Sequence, residues 1–99
     1  MSWCIRYAPA ARDDLKRLYA FLLEQDLVLA RTALAAIIRG ADLLRQFPFA
    51  CRKSGPDNPL LRELLVQFGA SGYVLLYEIE DDEHVTILAV RHQREDDYH

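Results

Sequence analysis

Between Pro9 and Pro48 the apolar residues recur at helical spacing in two runs, with almost no chain between them. Proline suits the first position of a helix, where its missing N–H costs nothing, so Pro9 marks a start. Asp13 and Asp14 follow in what reads as the first turn, where carboxylates complement the helix dipole. Leu15, Leu18, Tyr19 and Leu22 then repeat at i, i+3, i+4 and i+7, which predicts one buried stripe on a helix ending near Gln25. Asp26 is a candidate N-cap for a second helix. Ala30, Leu34, Ile37, Ala41 and Leu44 form its stripe, widened by Ala33 and Ile38, and Pro48 stops it. Gly40 inside this run costs ~1 kcal/mol relative to Ala, so its presence points to a close helix contact there. Two amphipathic helices joined this tightly make an antiparallel hairpin.

The rest of the chain reads as strands. Residues 3–7 form a short strand before the hairpin. Residues 49–59, with Ser54, Gly55, Pro56, Asp57, Asn58 and Pro59, carry the turn chemistry of a loop. Three strands follow, over residues 61–68, 73–80 and 84–91. Gly69-Ala70-Ser71-Gly72 and an acidic turn at residues 80–83 link them, which predicts an antiparallel meander. Parity puts Tyr73, Leu75, Tyr77 and Ile79 on one face and Val74, Leu76 and Glu78 on the other. In the last strand it groups Ile87 and Ala89 with Arg91, and Leu88 and Val90 with His92. Both faces are apolar, as for a sheet covered on one side by the hairpin and on the other by something else. The fold class is therefore α+β, in the order β-α-α-β-β-β, with a helical hairpin packed on a small antiparallel sheet, and residues 1–99 make one domain.

Composition excludes several classes. No apolar run approaches the ~20 residues of a membrane helix, and the N-terminus lacks the apolar stretch of a secretory signal. The chain reads as cytoplasmic, with no membrane partner. Cys4 and Cys51 lie far apart and in no CxxC arrangement, so two reduced thiols are expected, one in a strand and one in a loop. His84, His92 and His99 lack ligand spacing, and neither a metal nor a cofactor is implied. Net charge is −3 and uneven: residues 1–62 hold ten Lys/Arg against six Asp/Glu, and residues 63–99 hold two against nine. A protein that grips RNA usually carries excess positive charge. Trp3, Tyr7, Tyr19, Phe21 and Phe47 are expected in the core. Arg6, Arg12, Lys16, Arg17, Arg31, Arg39 and Arg45 read as the wet side of the N-terminal half.

Four stretches stand out in order along the chain. Tyr7-Ala8-Pro9-Ala10-Ala11-Arg12-Asp13-Asp14-Leu15 spans the first strand–helix junction, and Leu61-Arg62-Glu63-Leu64 opens the meander. Gly72-Tyr73-Val74-Leu75-Leu76-Tyr77-Glu78-Ile79 forms the middle strand. Val85-Thr86-Ile87-Leu88-Ala89-Val90-Arg91-His92-Gln93-Arg94-Glu95 forms the last. In this order they resemble the RelE/ParE toxin superfamily over essentially the whole chain. The resemblance implies a compact toxin of a type II toxin–antitoxin or plasmid-stabilisation pair, wrapped by its cognate antitoxin and growth-inhibitory when free.

The superfamily holds two activities. RelE-like members cleave mRNA in the ribosomal A site without a metal, which demands cations for a pentacovalent phosphorane and groups that move protons at the attacking and leaving oxygens. ParE-like members inhibit DNA gyrase. RelE commonly carries an Arg right after the Ser-Gly-Tyr word, where this chain has Val74, and a Val cannot hold a phosphate. The acidic balance points the same way. Arg91, His92, Arg94, Tyr98 and His99 point back toward chemistry, and Arg94 and Tyr98 match the Arg and Tyr that RelE-like nucleases use near this end. Against that stand Glu95, Asp96 and Asp97, which repel a phosphate, and an Arg-His-Gln-Arg-Glu ending associated with ParE-like members.

The resemblance thus implies a gyrase inhibitor first, with Arg91, His92, Arg94 and Tyr98 as toxicity and target-binding residues. The alternatives are a ribosome-dependent mRNA endonuclease using Arg94, Tyr98 and His92, and an inactive relative that only binds an antitoxin. Antitoxins of such pairs fold their C-terminal part over apolar toxin surface. Leu15, Leu18, Leu22, Leu34, Ile37 and Ile38 are the candidate core or groove residues for that contact.

Overall fold

A computed structural model describes residues 2–94. Its elements run β1 (Cys4–Tyr7), α1 (Pro9–Leu23), α2 (Leu27–Asp42), a 3₁₀ turn (Leu43–Arg45), β2 (Arg52–Lys53), β3 (Leu61–Phe68), β4 (Ser71–Ile79) and β5 (His84–His92). The expected α+β order is present, with β2 as a two-residue addition inside the expected loop. The five strands form one sheet in the order β1-β5-β4-β3-β2.

The hairpin forms as its sequence dictates. Pro9 occupies the start of α1, and Ala8 before it is extended with no side-chain cap. Asp26 caps α2, its carboxylate accepting the Val28 N–H at 3.0 Å. Two details differ. Asp13 and Asp14 lie past the first turn of α1, which holds no acid, because the helix starts at Pro9 itself. Asp14 is turned instead toward β5. At the other end α2 tightens into the 3₁₀ turn after Asp42, well before Pro48.

The sheet is mixed rather than wholly antiparallel. β3, β4 and β5 make the expected meander, but β1 pairs parallel with β5, Cys4 to Tyr7 against His84 to Ile87. The helical hairpin supplies the crossover that a parallel pair requires. Tyr73, Leu75, Tyr77 and Ile79 are buried under the helices with Val66, Val85, Ile87 and Val90, and Ile37, Ala41 and Leu44 close over them. Full burial of a side chain such as Leu75 is worth about 1.5–3 kcal/mol. Val74, Leu76 and Glu78 carry the opposite face and remain half-buried. In β5 simple parity fails. Tyr77 pairs with Ile87 but Leu76 pairs with Ala89, leaving Leu88 as an extra residue in a bulge. Beyond it, Val90 and His92 lie opposite Leu75 and Tyr73, on the same face as Ile87.

Glycines mark the tight places. A Cβ on Gly40 would lie 2.8 Å from Val66 Cγ2, so the close approach of α2 is to β3 and not to the other helix. A Cβ on Gly72 would lie 2.2 Å from the Val66 carbonyl oxygen, inside the β3–β4 hairpin. Gly69 takes φ +62° in that hairpin's turn, where Phe68 pairs with Ser71.

Candidate functional site

The ends of β3, β4 and β5 meet the loop end of the helical hairpin around a pocket of about 550 Å³. Leu18, Leu22, Leu29, Phe68 and Tyr73 make its apolar walls, with Phe21 at the rim, and Arg17, Ser71, His92 and Arg94 supply the polar side. The bulge at Leu88 determines which C-terminal residue enters it, since it brings His92 to the helix face beside Tyr73.

Three contacts among the described residues hold His92. The Arg94 backbone N–H donates to Nδ1 at 3.1 Å. The neutral ring therefore carries its proton on Nε2, from which it donates to Ser71 Oγ at 3.0 Å. Tyr73 stands edge-on to the ring, centroids 5.4 Å apart. Burial pushes the Tyr73 phenol above its ordinary range. Arg91 diverges from the pocket. Its guanidinium pairs with Asp14 and donates to the Val90 carbonyl at 3.1 Å. Arg94 stays exposed at the pocket's edge.

The sheet's other arginines have structural partners. Arg62 donates to the carbonyls of Pro59, Phe49 and Cys51 at 2.8–2.9 Å and lies 5.3 Å over the Phe49 ring, which pins the 49–59 loop to β3. Arg6 pairs with Glu80 at 2.9 Å, and Arg52 with Glu63 at 3.1 Å. Among the described residues no group of His, Cys, Asp and Glu could hold a metal ion. No described helix is long and apolar enough to cross a membrane. Cys4 and Cys51 are both free thiols.

Residues 5–97 match the family described as the ParE toxin of the type II toxin–antitoxin system parDE. The chain belongs to the ParE toxin family. A curated relative of this ParE-family chain, Toxin RelE3 of Caulobacter vibrioides, is 36% identical over 91 residues, spanning 92% of this chain and 95% of the relative. Two solved structures share the architecture. One is a chain of the toxin–antitoxin complex RelBE2 from Mycobacterium tuberculosis, with TM-score 0.61, 25% identity, and coverage of 94% of this chain and 100% of that one. The other belongs to the chromosomal ParDE system of P. aeruginosa, with TM-score 0.71 over 92% of this chain and 96% of that one. Its 14% identity speaks to the fold alone. The chain thus lies within the RelE/ParE superfamily.

The residues singled out in the sequence of this ParE-family toxin are distributed unevenly. His92 and Arg94 are brought together at the pocket, Arg91 is turned onto α1, and Tyr98 lies outside the described residues, as does His99. Of the candidate antitoxin residues, Leu18 and Ile37 belong to the core. Leu15, Leu22 and Leu34 are half-buried along the hairpin, and Ile38 is 46% exposed. The expected aromatic core is only partly present. Trp3, Tyr7 and Tyr19 are half-buried, whereas Phe21 and Phe47 are each 59% exposed: Phe21 lies off the stripe of Leu15, Leu18 and Leu22 on α1, and Phe47 follows the 3₁₀ turn. Ser71 and Asp14, which organise the C-terminal segment, carry no site signal in the sequence. Ser71 reads as turn chemistry, and Asp14 reads as helix-dipole charge.

Proposed function

We propose that this type II toxin acts by inhibiting DNA gyrase through protein–protein contact, with residues 91–94 as the segment that meets its target. The arrangement of His92 carries this reading. A general base for 2′-OH attack needs an available lone pair, and the Nδ1 lone pair of His92 already accepts the Arg94 amide while Nε2 faces Ser71. Arg91, the nearest cation in sequence, is neutralised by Asp14, and Val74 stands on the sheet where RelE carries an arginine. The segment is thus built as a rigid shape more than as a phosphate cradle. Expression of the chain should provoke DNA-damage signalling and filamentation, with transcripts intact by primer extension. Growth arrest with undamaged DNA would remove gyrase as the target.

One observation favours a second reading, the ribosome-dependent mRNA endonuclease. Arg17, Ser71, His92 and Arg94 do converge on one pocket, and Tyr98 follows closely in sequence. New 5′ ends on a translated message, abolished by Arg94→Ala or Tyr98→Phe, would decide for it.

Under either reading we infer a cognate antitoxin that folds onto apolar toxin surface. Ile38 and the half-buried Leu15, Leu22 and Leu34 are available to it along the hairpin, flanked by the exposed Arg12, Lys16, Arg31 and Arg39. Association with an acidic antitoxin segment should therefore weaken as salt rises.

A further inference from the structure

β1 runs beside β5 only as far as Ile87, whose carbonyl takes the last amide of that edge, from Ala8 at 2.9 Å. Past Ile87, α1 replaces β1 as the neighbour of β5, and the bulge at Leu88 interrupts the ladder with β4. A bulge re-aims the strand that carries it; beyond it the β4 ladder resumes, but among the described residues the other edge of residues 89–92 has no strand beside it. Asp14 anchors that edge from 76 positions away. Its Oδ2 accepts the Val90 N–H at 2.9 Å and pairs with the Arg91 guanidinium, and its Oδ1 lies 3.7 Å from Arg17 Nη2. The carboxylate is only 13% exposed. On the opposite edge the Gln93 N–H donates to the Gly72 carbonyl at 2.9 Å. The end of β5 is thus clamped between α1 at Val90 and Arg91 and β4 at Gln93, on either side of His92.

We propose that Asp14 is the positioning residue of the 91–94 segment, and that Arg91 serves toxicity as the counter-ion of Asp14 and not as a contact for the target. The inference rests on the reading that this segment meets the target. The physical reasoning is local. A carboxylate bonded to both an amide and a guanidinium makes charge-assisted hydrogen bonds in one fixed geometry. Without it, the Val90 amide loses its acceptor and the strand end is held from the β4 side alone.

Two measurements on the full chain test this. In the first, amide exchange followed by NMR should show Val90 protected in the wild type and in Asp14→Asn, whose side-chain oxygen still accepts. Asp14→Ala should exchange at Val90 about tenfold faster or more, while Val85 in the same strand is unchanged, as for a local opening. Equal exchange at Val90 in wild type and Asp14→Ala overturns the clamp. In the second, growth-arrest potency is titrated for Asp14→Asn, Arg91→Gln, Arg91→Lys and the double variant Asp14→Asn/Arg91→Gln, with folding checked by thermal melts. Each neutral single variant should lose about tenfold, and the double no more than about twofold beyond either, because both remove one interaction. Arg91→Lys, which keeps a cation for Asp14, should retain potency. Loss of potency in Arg91→Gln with full potency in Asp14→Asn, or losses that multiply, would make Arg91 a target contact and overturn the proposal. A wild-type chain that arrests growth without touching gyrase defeats the target reading alone, and a non-toxic wild type leaves the Val90 exchange to decide on Asp14.

Discussion

Among the described residues Tyr77 is the largest fully buried side chain, and its hydroxyl donates to the Pro48 carbonyl at 2.7 Å, tying the middle of β4 to the chain leaving the helical hairpin. Burial, then the neighbouring Cys51, pushes the phenol far above the ordinary tyrosine range, so it stays a neutral donor. Tyr77→Phe leaves the buried Pro48 carbonyl without its partner and should cost about 1–3 kcal/mol, read as a lower midpoint in thermal or urea unfolding. An unchanged midpoint would mean the bond contributes nothing. Gly40 poses a contest of opposite signs. Alanine in a helix interior gains about 1 kcal/mol over glycine, but its Cβ would meet Val66 Cγ2 at 2.8 Å. That methyl belongs to a β-branched side chain with little freedom to turn away, so the clash should win and Gly40→Ala should lower stability. Pairing it with Val66→Ala should cost less than the two losses added, since the second change removes the obstacle.

At the scale of the element, caps and turns decide where regular structure begins and ends. Asp26→Ala removes the acceptor of the Val28 N–H and should destabilise by about 1 kcal/mol. Asp81 organises the β4–β5 turn, accepting the backbone N–H groups of Glu83 and His84 at 2.7 Å and approaching His84 Nδ1 at 3.0 Å. These bonds, led by that from Glu83, hold its carboxyl below the ordinary value. The stabilisation is therefore present above the unfolded carboxylate's range and is lost as pH falls through the lowered folded value. In melts across pH, Asp81→Asn should lie below the wild type near neutrality and converge with it in acid, and parallel curves would contradict this. The helices, the Asp26 cap and the β3-β4-β5 meander were legible in the sequence, because periodicity and turn chemistry are local signals. The parallel pairing of β1 with β5 was not, since it joins Cys4 to His84 with no local mark. The Leu88 bulge inverted the parity assignment for Ala89 to His92 for a similar reason: nothing in an apolar run announces an extra residue. So the site was half-visible. His92 and Arg94 could be named from their place at the end of the last strand, whereas the Asp14 contact that orients them exists only in three dimensions.

At the scale of the whole molecule, two features bear on the function proposed for this ParE-family chain. The N-terminal part is basic and the C-terminal part acidic, which favours oriented encounter with a charged partner over general attraction to nucleic acid. The sheet's described arginines are bound to carboxylates or carbonyls of the same chain, and His92 is locked between Ser71 and the Arg94 amide. On the proposed reading, such a surface presents shape at the end of β5 rather than a phosphate site. Arg94→Ala should accordingly reduce toxicity while leaving the melting midpoint nearly unchanged, because its side chain is exposed. A fall in stability matching the fall in toxicity would instead assign Arg94 to the fold. The most direct measurement is a supercoiling assay in which purified toxin is titrated against DNA gyrase and relaxed plasmid. Gyrase inhibition predicts a dose-dependent loss of supercoiled product that Arg94→Ala weakens, and normal supercoiling at saturating toxin would contradict it.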